Sequence, residues 1–544
     1  MVKNYINFHF YINFCVVRLI IFLSLILSSL LCCKSPAENP VITRDTTITP
    51  QTAITTMKLD SSEIVAFNNK FNLPESTSRR IMDFYISRNF QYCWFNEDGL
   101  AEQAKVFWNM QNYYMQTNRD STLYEPQLSE RMKKLIADST LKLKPEFRLA
   151  TELSLTLHFF EYAQFAFAGK INPSDLQWHI PRKKIDPVAL LDSLVKHNGK
   201  NSEEWLPVNK TYLDLANSLS KYYDIEKNGG WDTLPLNLSV KLNDRTPQIS
   251  LLKNRLAFED TAYKFTDPEL FDSALAAHID IAKDRYGLIQ NGKVDKDLIT
   301  ELNISASERI KQMLVNLERM RWLPEIKSNI IIVANIPDFT LRVFENNNVV
   351  LKMNIVVGKE GTSSVIFTDN LKYVVFAPYW NVPESIVRNE IVPGMSRQKN
   401  YIANHNMEIT GYRNGLPVVR QKPGGSNSLG LVKFIFPNNY NIYLHDTPAK
   451  SLFNSSNRAF SHGCIRIQKP KELAEFLLRD QPQWTDSAIV AAMNSGKEKW
   501  VSLLHPVPVM ITYFTCYVSN NGTVHFSKDV YGYDKKLSER LFSN

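Results

Sequence analysis

The sequence contains few cysteines, no block of basic residues and only one long run of apolar residues. Six cysteines in 544 residues are too few for a disulfide-based fold. The 63 lysines and arginines, set against 55 acidic residues, are spread along the chain, which argues against a dedicated nucleic-acid binder. A hydrophobic content of 44% excludes global disorder and a protein with several membrane spans. Because single cores stop growing near ~250–300 residues, we expect two or three domains.

The apolar run occupies residues 19–31, after Arg18 and before Cys32 and Cys33. Its length fits the ~7–15 residues of a signal-peptide core, whereas an uncleaved membrane anchor, the alternative, needs ~20. The run and its cysteines resemble a bacterial lipoprotein signal, with Cys33 as the lipidated residue. We therefore predict a signal at 1–33, a flexible tether at 34–60 and a location in the periplasm or cell envelope, attached to the membrane.

Beyond this segment only Cys93, Cys464 and Cys516 remain. Three cysteines cannot all form disulfides with one another, so at least one thiol is left over. In an oxidising compartment a remaining free thiol indicates a specific role.

The periodicity of the apolar residues predicts a multi-domain α+β protein. Spacings of i, i+3 and i+4 predict a helical scaffold domain at 61–235. Further helices, separated by the turn Gln290-Asn291-Gly292, predict a small helical module at 236–327. This module resembles the three-helix peptidoglycan-binding module in the Gly-Leu turn after Tyr286 and in the pair Leu302-Asn303. The alternative is a packing domain without a ligand site.

After residue 329 the apolar period changes to two, which predicts a mainly β domain at 328–534 with a helix at 471–479. The strand pattern stops between 383 and 429, where we expect a helix at 384–392 and a flexible loop at 423–428. Insertions of this length are often functional, so the segment is a candidate flap over the substrate. Residues 535–544 are predicted as a tail. The predicted strands are 330–336, 341–344, 349–357, 373–378, 432–436, 442–444, 509–518 and 523–526.

The motif Ser461-His462-Gly463-Cys464 and the upstream His445 combine a thiol with imidazoles. A free cysteine with a pKa of ~8.5 is mostly protonated at neutral pH, and an imidazole is suited to accept the proton. His462 would lie on the face of Cys464 if both were on an extended strand. His445 ends the preceding strand, and the spacing alone does not choose between them. Arg466, two residues after Cys464, would lie on the same face.

Two neighbouring features suit acyl transfer. Gly463 carries no side chain, so the amides of residues 462–464 are available to an oxyanion, at ~3–4 kcal/mol per donor. The Arg466 guanidinium could bind a substrate carboxylate. The alternatives are an inert buried Cys464 or a zinc site formed by His445, His462 and Cys464, which lacks a fourth nearby ligand in the sequence.

His445-Asp446-Thr447 followed by Ser461-His462-Gly463-Cys464-Ile465-Arg466 resembles the signature of the L,D-transpeptidase catalytic domain, over about residues 329–534. The resemblance implies that Cys464 is the nucleophile and His445 the base, oriented by a backbone carbonyl or polar group near Asp446. It assigns His462 and Gly463 to the oxyanion loop, and Arg466 and Ser461 to substrate binding or support of the site. Tyr443 is a candidate for lining the pocket, with core packing as the alternative.

The same resemblance implies a thioester on the tetrapeptide stem of peptidoglycan, release of D-Ala and a 3→3 cross-link to a diamino acid. It also implies acylation by carbapenems and no metal or cofactor. One rival is a penicillin-binding D,D-transpeptidase, since Ser193-x-x-Lys196 and Ser218-x-x-Lys221 fit S-x-x-K, although no K-T-G accompanies them. The other is a non-catalytic lipoprotein that binds the cell wall.

Overall fold

The computed structural model describes residues 46–49, 55–138, 140–141, 143–201, 206–260 and 264–543. The predicted signal at 1–33, Cys33 and most of the tether at 34–60 lie outside these residues. The chain forms two compact units, one of residues up to Ala101 with Lys133–Leu157, the other of Glu102–Met132 with His158–Asn544. Within the described ranges no helix combines the length and apolar character needed to span a bilayer. The predicted domain boundaries stay predictions.

The region predicted as a scaffold is helical, as the apolar spacing indicated. Several helices begin at side-chain caps, such as Asp60, whose carboxylate accepts from the Ser62 backbone while Glu63 reaches back to the Asp60 amide. Such caps satisfy the free N–H groups of a first helical turn. The helices are Ser61–Lys70, Glu75–Ser87, Glu102–Asn118, Pro126–Ala137, Pro145–Ala168, Pro187–Lys196 and Lys210–Lys227.

The segment predicted as a small helical module also contains helices with the expected ends. The Asp295 carboxylate accepts a hydrogen bond from the Leu298 amide at 3.0 Å and caps the second helix of the predicted pair. Apolar residues of these helices, such as Ile279 and Leu298, belong to the same hydrophobic core as the β domain. The helices are Pro247–Ala257, Ser273–Arg285, Lys296–Leu302 and Ala306–Trp322.

The β domain is built on one nine-stranded sheet, and an additional pairing between Thr340–Glu345 and Asn348–Gly358 closes it into a barrel. The hairpin loop between Thr340–Glu345 and Asn348–Gly358 has positive φ at both Asn346 and Asn347. In sheet order the strands are Ala459–Ser461, Asn348–Gly358, Ile465–Ile467, Leu444–His445, Val432–Ile435, Phe367–Phe376, Lys499–Thr512, Ile330–Asn335 and Thr340–Glu345.

Further elements cover the barrel. A separate hairpin pairs Cys516–Val518 with Val524–Phe526. The helix predicted at 471–479 is Pro470–Leu478, and a helix that the sequence pattern did not reveal follows at Asp486–Met493. Residues 535–544, predicted as a tail, form most of the helix Tyr533–Leu541, whose Leu537 is buried.

The insertion at 383–429 departs from its prediction, because it contains strands. Met407–Arg413 pairs with Leu416–Gln421, which also pairs with Trp380–Asn381, and the three form a separate sheet. Both longer strands expose much of their surface, so the expected alternation is weak. The pair Asn414-Gly415, with positive φ at both residues, was the hairpin signal that could have revealed them.

The helical part of the insertion also differs from the single predicted helix at 384–392. It divides into Glu384–Ile386, a π-helical turn at Val387–Ile391 and Val392–Arg397. Pro393 lacks a backbone N–H and cannot extend the normal helical ladder, which explains the wide turn before it. The insertion has a small hydrophobic core of its own, so we call residues 380–421 the insert subdomain.

Candidate active site

The candidate site lies on two adjacent parallel strands of the barrel. Leu444 of strand Leu444–His445 pairs with Ile465, and His445 pairs with Arg466. Leu444 and Ile465 are fully buried in the barrel core. Because successive side chains of a strand point to opposite faces, His445 and Arg466 lie together on the other face.

Cys464 and Tyr443 directly precede these strands and extend the same face by one residue pair. Residues two apart on neighbouring strands have Cα atoms roughly 7–8 Å apart, within reach of a thiol and an imidazole. The Tyr443 and His445 rings are 5.7 Å apart between centroids, in an edge-to-face arrangement. The fold therefore brings His445, Cys464, Arg466 and Tyr443 together, four of the seven residues singled out from sequence.

His445 is buried and held in one orientation. Its Nδ1 is 2.5 Å from the backbone carbonyl oxygen of Asp446. A carbonyl only accepts hydrogen bonds, so Nδ1 carries the proton and Nε2 is left as an acceptor. Burial, reinforced by the positive charge of Arg466, lowers the pKa of His445 to about 4. The imidazole is therefore neutral at pH 7 and able to accept a proton.

The Cys464 thiol is half-buried, and burial raises its pKa. The side chain and backbone N–H of Tyr443 and the Arg466 charge act in the opposite direction. The thiol points at the backbone carbonyl oxygen of Asn441, at 3.6 Å. Since burial disfavours the charged forms of both groups, the resting pair is a neutral thiol and a neutral imidazole.

The loop that carries Cys464 is bent, so the prediction that His462 shares a face with Cys464 on an extended strand is wrong. Gly463 has φ +115°, a conformation that favours glycine, and the strands end at Ser461 and restart at Ile465. The buried Ser461 hydroxyl donates to the carbonyl of Cys464 at 2.6 Å and accepts from the amide of Gly463 at 3.2 Å. Ser461 thus shapes the loop.

The bend also changes which amides face the site. The Gly463 amide is already engaged by Ser461. Within the described part of the chain, the amides of His462 and Cys464 donate to no protein acceptor. Of the amides expected to bind an oxyanion, these two remain available.

A loop that the sequence reasoning did not identify supports this bend. The Ser364 hydroxyl donates to the carbonyl of Gly463 at 2.7 Å, and the Thr362 hydroxyl donates to the carbonyl of Ser461 at 3.2 Å. The amide of Lys359 also donates to the Ser461 carbonyl, at 3.0 Å. The supporting residues are about a hundred positions upstream and carry no motif that would reveal them.

Asp446 supports the histidine from the opposite side. Its carboxylate accepts from the amide of Thr447 at 2.7 Å and from the amide of Leu431 at 2.9 Å, and it also pairs with Lys450. Gly430, at φ +61°, lies so close that a Cβ there would overlap this carboxylate. The carbonyl that orients His445 is therefore anchored by a tightly packed turn.

The His462 side chain contacts the insert subdomain. Its Nε2 is 3.2 Å from the Glu390 carboxylate, and both side chains are about half exposed. Trp380, also of the insert subdomain, lies beside the Tyr443 hydroxyl. The insert subdomain thus contacts two residues that neighbour Cys464, His462 in the loop and Tyr443 on the adjacent strand.

The structure does not support the zinc alternative or the S-x-x-K alternative. No group of three His, Cys, Asp or Glu side chains in the described ranges could hold a metal ion. The serines of the two S-x-x-K matches, Ser193 and Ser218, donate to carbonyls one helical turn earlier. The thiols of Cys93 and Cys516 are fully buried, so the half-buried Cys464 is the accessible thiol of the described chain.

A thiol and a neutral imidazole with a free Nε2, close to unpaired amides, form an arrangement typical of cysteine-dependent acyl transfer. Residues 329–491 match the family model of the L,D-transpeptidase catalytic domain, YkuD, and residues 79–219 match the scaffold domain model. The chain therefore contains a YkuD-type L,D-transpeptidase catalytic domain together with a scaffold domain. The resemblance expected from the sequence motif is confirmed.

Parts of the chain are similar to proteins that are named L,D-transpeptidase. A Haemophilus influenzae protein named "Putative L,D-transpeptidase" is 30% identical over 243 residues, which cover 42% of this chain and 49% of that protein. The chain thus spans about half the length of this curated relative. An L,D-transpeptidase structure from Mycobacterium smegmatis covers 35% of this chain and 61% of its own, at 15% identity and a TM-score of 0.20. One from Stackebrandtia nassauensis covers 51% and 95%, at 15% identity and a TM-score of 0.21.

Proposed function

We propose that this protein is a cell-envelope L,D-transpeptidase that forms 3→3 cross-links in peptidoglycan. The observation that carries the proposal is the shared face of Cys464 and His445, with Nδ1 fixed by a carbonyl and Nε2 free to accept the thiol proton. The match of residues 329–491 to the L,D-transpeptidase catalytic domain supports the substrate class.

In the acylation step, His445 Nε2 accepts the Cys464 proton as the sulfur attacks the carbonyl before the terminal D-Ala of a tetrapeptide stem. The developing oxyanion is stabilised by the amides of Cys464 and His462, at ~3–4 kcal/mol per donor. His445 then gives the proton to the departing amine, and D-Ala leaves. The product is a thioester at Cys464.

In the second step, the side-chain amine of a diamino acid on another stem attacks the thioester. His445 takes a proton from the amine and returns it to the sulfur, which restores the neutral thiol and imidazole. Water in place of the amine would give hydrolysis instead of a cross-link. The Arg466 charge favours neutral His445 before and after each proton transfer, and its guanidinium would bind a stem carboxylate.

The insert subdomain would act as the flap over this substrate. Its Glu390 contacts His462 in the catalytic loop, and its Trp380 lies beside Tyr443. Attachment to the membrane through a lipid on Cys33 would place the catalytic domain in the periplasm, where the tether gives it reach toward the wall.

The test is mass spectrometry of muropeptides after incubation of purified protein with disaccharide-tetrapeptides. The wild type should produce dimers that have lost one D-Ala, and Cys464→Ala should produce none. Peptide mapping of the intermediate should locate the acyl group on Cys464 and not on the buried Cys93 or Cys516. Equal cross-linking by the wild type and Cys464→Ala would refute the proposal. Absence of cross-linking by both, with retained wall binding, would favour the non-catalytic alternative.

A further inference from the structure

A second cleft lies away from Cys464, where the helical module meets the barrel. Its volume is about 570 Å³, within the range typical of sites for small molecules and short peptides. One wall is the turn at residues 284–290, which carries the aromatic-Gly-Leu sequence of the module. The other walls are barrel strands between 338 and 354, the segment 453–458 and the hairpin around 517–527.

The lining of this cleft is charged and predominantly basic. Its cations are Arg285, Arg342, Lys352 and Arg458, and its carboxylates are Asp284 and Asp338. Arg342 and Lys352 face each other directly across two paired strands. Like charges in that arrangement are destabilising unless an anion offsets them.

The protein itself offsets only part of this charge. Asp338 pairs with Arg342 at 2.8 Å, while no ion pair of Lys352 or Arg458 occurs among the described residues. The Arg458 Nε and the hydroxyl of Ser527 are buried and have no hydrogen-bond partner in that same part of the chain. Buried polar groups are normally paired, so these atoms indicate a missing partner that accepts hydrogen bonds.

The cleft and the candidate active site share one strand. Ile355 and Val357 of strand Asn348–Gly358 belong to the barrel core, so Lys352, Asn354 and Val356 lie on its other face. Val356 pairs with Arg466 of the candidate active site. At ~3.3 Å per residue, Lys352 is about 13 Å along the strand from Val356.

From these observations we propose that the cleft binds a second stem peptide of peptidoglycan, by its carboxylate and its amine. Lys352 and the unpaired Nε of Arg458 would bind the carboxylate, since both Nη atoms of Arg458 already donate to backbone carbonyls. Asp284 would bind the amine. The two carboxylates in the lining disfavour a phosphate group but suit a peptide that carries both charges. This inference rests on the proposed function, because it takes the same substrate class.

The test uses the full chain with Cys464→Ala, so that no turnover occurs, and a soluble disaccharide-tetrapeptide in a calorimetric titration. We expect two molecules bound per chain. Lys352→Glu, at an exposed position, should weaken one of the two sites at least about tenfold, and the effect should shrink as salt rises. The matched control is Lys372→Glu, an exposed lysine on another barrel strand, which should leave both sites unchanged.

Binding unaffected by Lys352→Glu, or a single site in both proteins, would overturn the inference. Inorganic phosphate that displaces the peptide completely from this site would also overturn it, because the site would then be a simple anion site. Acylation of the unmodified Cys464 by a carbapenem is measured separately. If it proceeds at the same rate in Lys352→Glu, the cleft is separate from the catalytic step, whereas absent acylation in the wild type counts against the proposed function.

Discussion

His445 and Arg466 are paired across two parallel strands, so a buried imidazole lies beside a guanidinium. Burial and this positive charge lower the pKa of His445 to about 4. The histidine of the site is thus neutral at pH values well above 4, where it is able to accept a proton. The same cation favours ionisation of Cys464 against the effect of burial.

This arrangement predicts an unusual pH profile for acylation. A protonated His445 cannot accept the thiol proton, so the rate should fall only as the pH approaches about 4, and not near 6.5 as for an ordinary histidine. Arg466→Met should raise the pKa of His445 and move this acidic limb to higher pH. The measurement is the rate of carbapenem acylation from pH 3.5 to 8.

The conservative variant Arg466→Lys serves as the control, since it keeps the charge and should keep the acidic limb near that of the wild type. If Arg466→Met lowers the rate without moving the limb, Arg466 binds substrate only and does not set the protonation of His445.

A second prediction distinguishes the two histidines. His445→Ala removes the group that accepts the thiol proton, and general-base groups contribute roughly 10²–10⁴ in rate. His462→Ala removes only the contact with Glu390, so the rate of acylation by a small carbapenem should change less than about tenfold. Stopped-flow acylation of both variants measures this difference. The opposite ranking would make His462 the base.

A third prediction concerns the turn that anchors Asp446. Gly430→Ala introduces a Cβ that overlaps the Asp446 carboxylate at positive φ, so we expect a loss of at least ~3 kcal/mol in the free energy of unfolding. Acylation of the folded fraction should also slow, because the carbonyl that orients His445 moves.

The matched control for this variant is Gly415→Ala in the insert subdomain. It has similar φ, +76°, but open space around its Cβ, and should cost only ~1–2 kcal/mol. Urea denaturation gives both values. Equal costs would show that backbone strain alone, and not the contact with Asp446, makes Gly430 necessary.

A fourth prediction concerns the first unit of the chain. Glu152 is fully buried and accepts from the amides of Cys93 and Trp94 and from the Tyr85 hydroxyl, yet burial raises its pKa to about 7. A carboxyl with a raised pKa in the folded state contributes stability below its unfolded pKa and loses it as the pH rises. Stability should therefore fall by ~3 kcal/mol between pH 4.5 and 7.

Glu152→Gln removes the titrating group, so the decline in stability over this window should disappear. Denaturant unfolding at several pH values, followed by fluorescence of the buried Trp94, measures the effect. A decline of the same size in the variant would assign the pH dependence to other groups.

Much of the candidate site was predictable because several of its residues are close together in the sequence. Cys464 and Arg466 are two residues apart on one chain segment, and the alternation of a strand places them on one face without further information. The choice between His445 and His462 could not be made from neighbouring residues. It depended on a bend at Gly463 that turns the intervening His462 toward Glu390.

The residues that support the site could not be predicted from the sequence, because they too are distant from it along the chain. Ser364 and Gly463 are 99 positions apart, and they meet because the strand before Ser364 pairs with the strands on both sides of Gly463. Serine occurs in many loops, so nothing in the sequence around 364 marks it as support for a catalytic loop. The strands of the insert subdomain were hidden because their exposed faces weaken the apolar alternation on which strand prediction depends.

The sequence by itself determined the α+β class, the helical and β regions of the chain, and a thiol, two imidazoles and a guanidinium whose types and spacings suit acyl transfer. These features follow from periodicity and from chemistry that is written in neighbouring residues. Only the tertiary structure decided the tautomer and pKa of His445, the amides left open in the catalytic loop and the basic cleft below the module. Each of these depends on groups that are distant in sequence and on the exclusion of water between them.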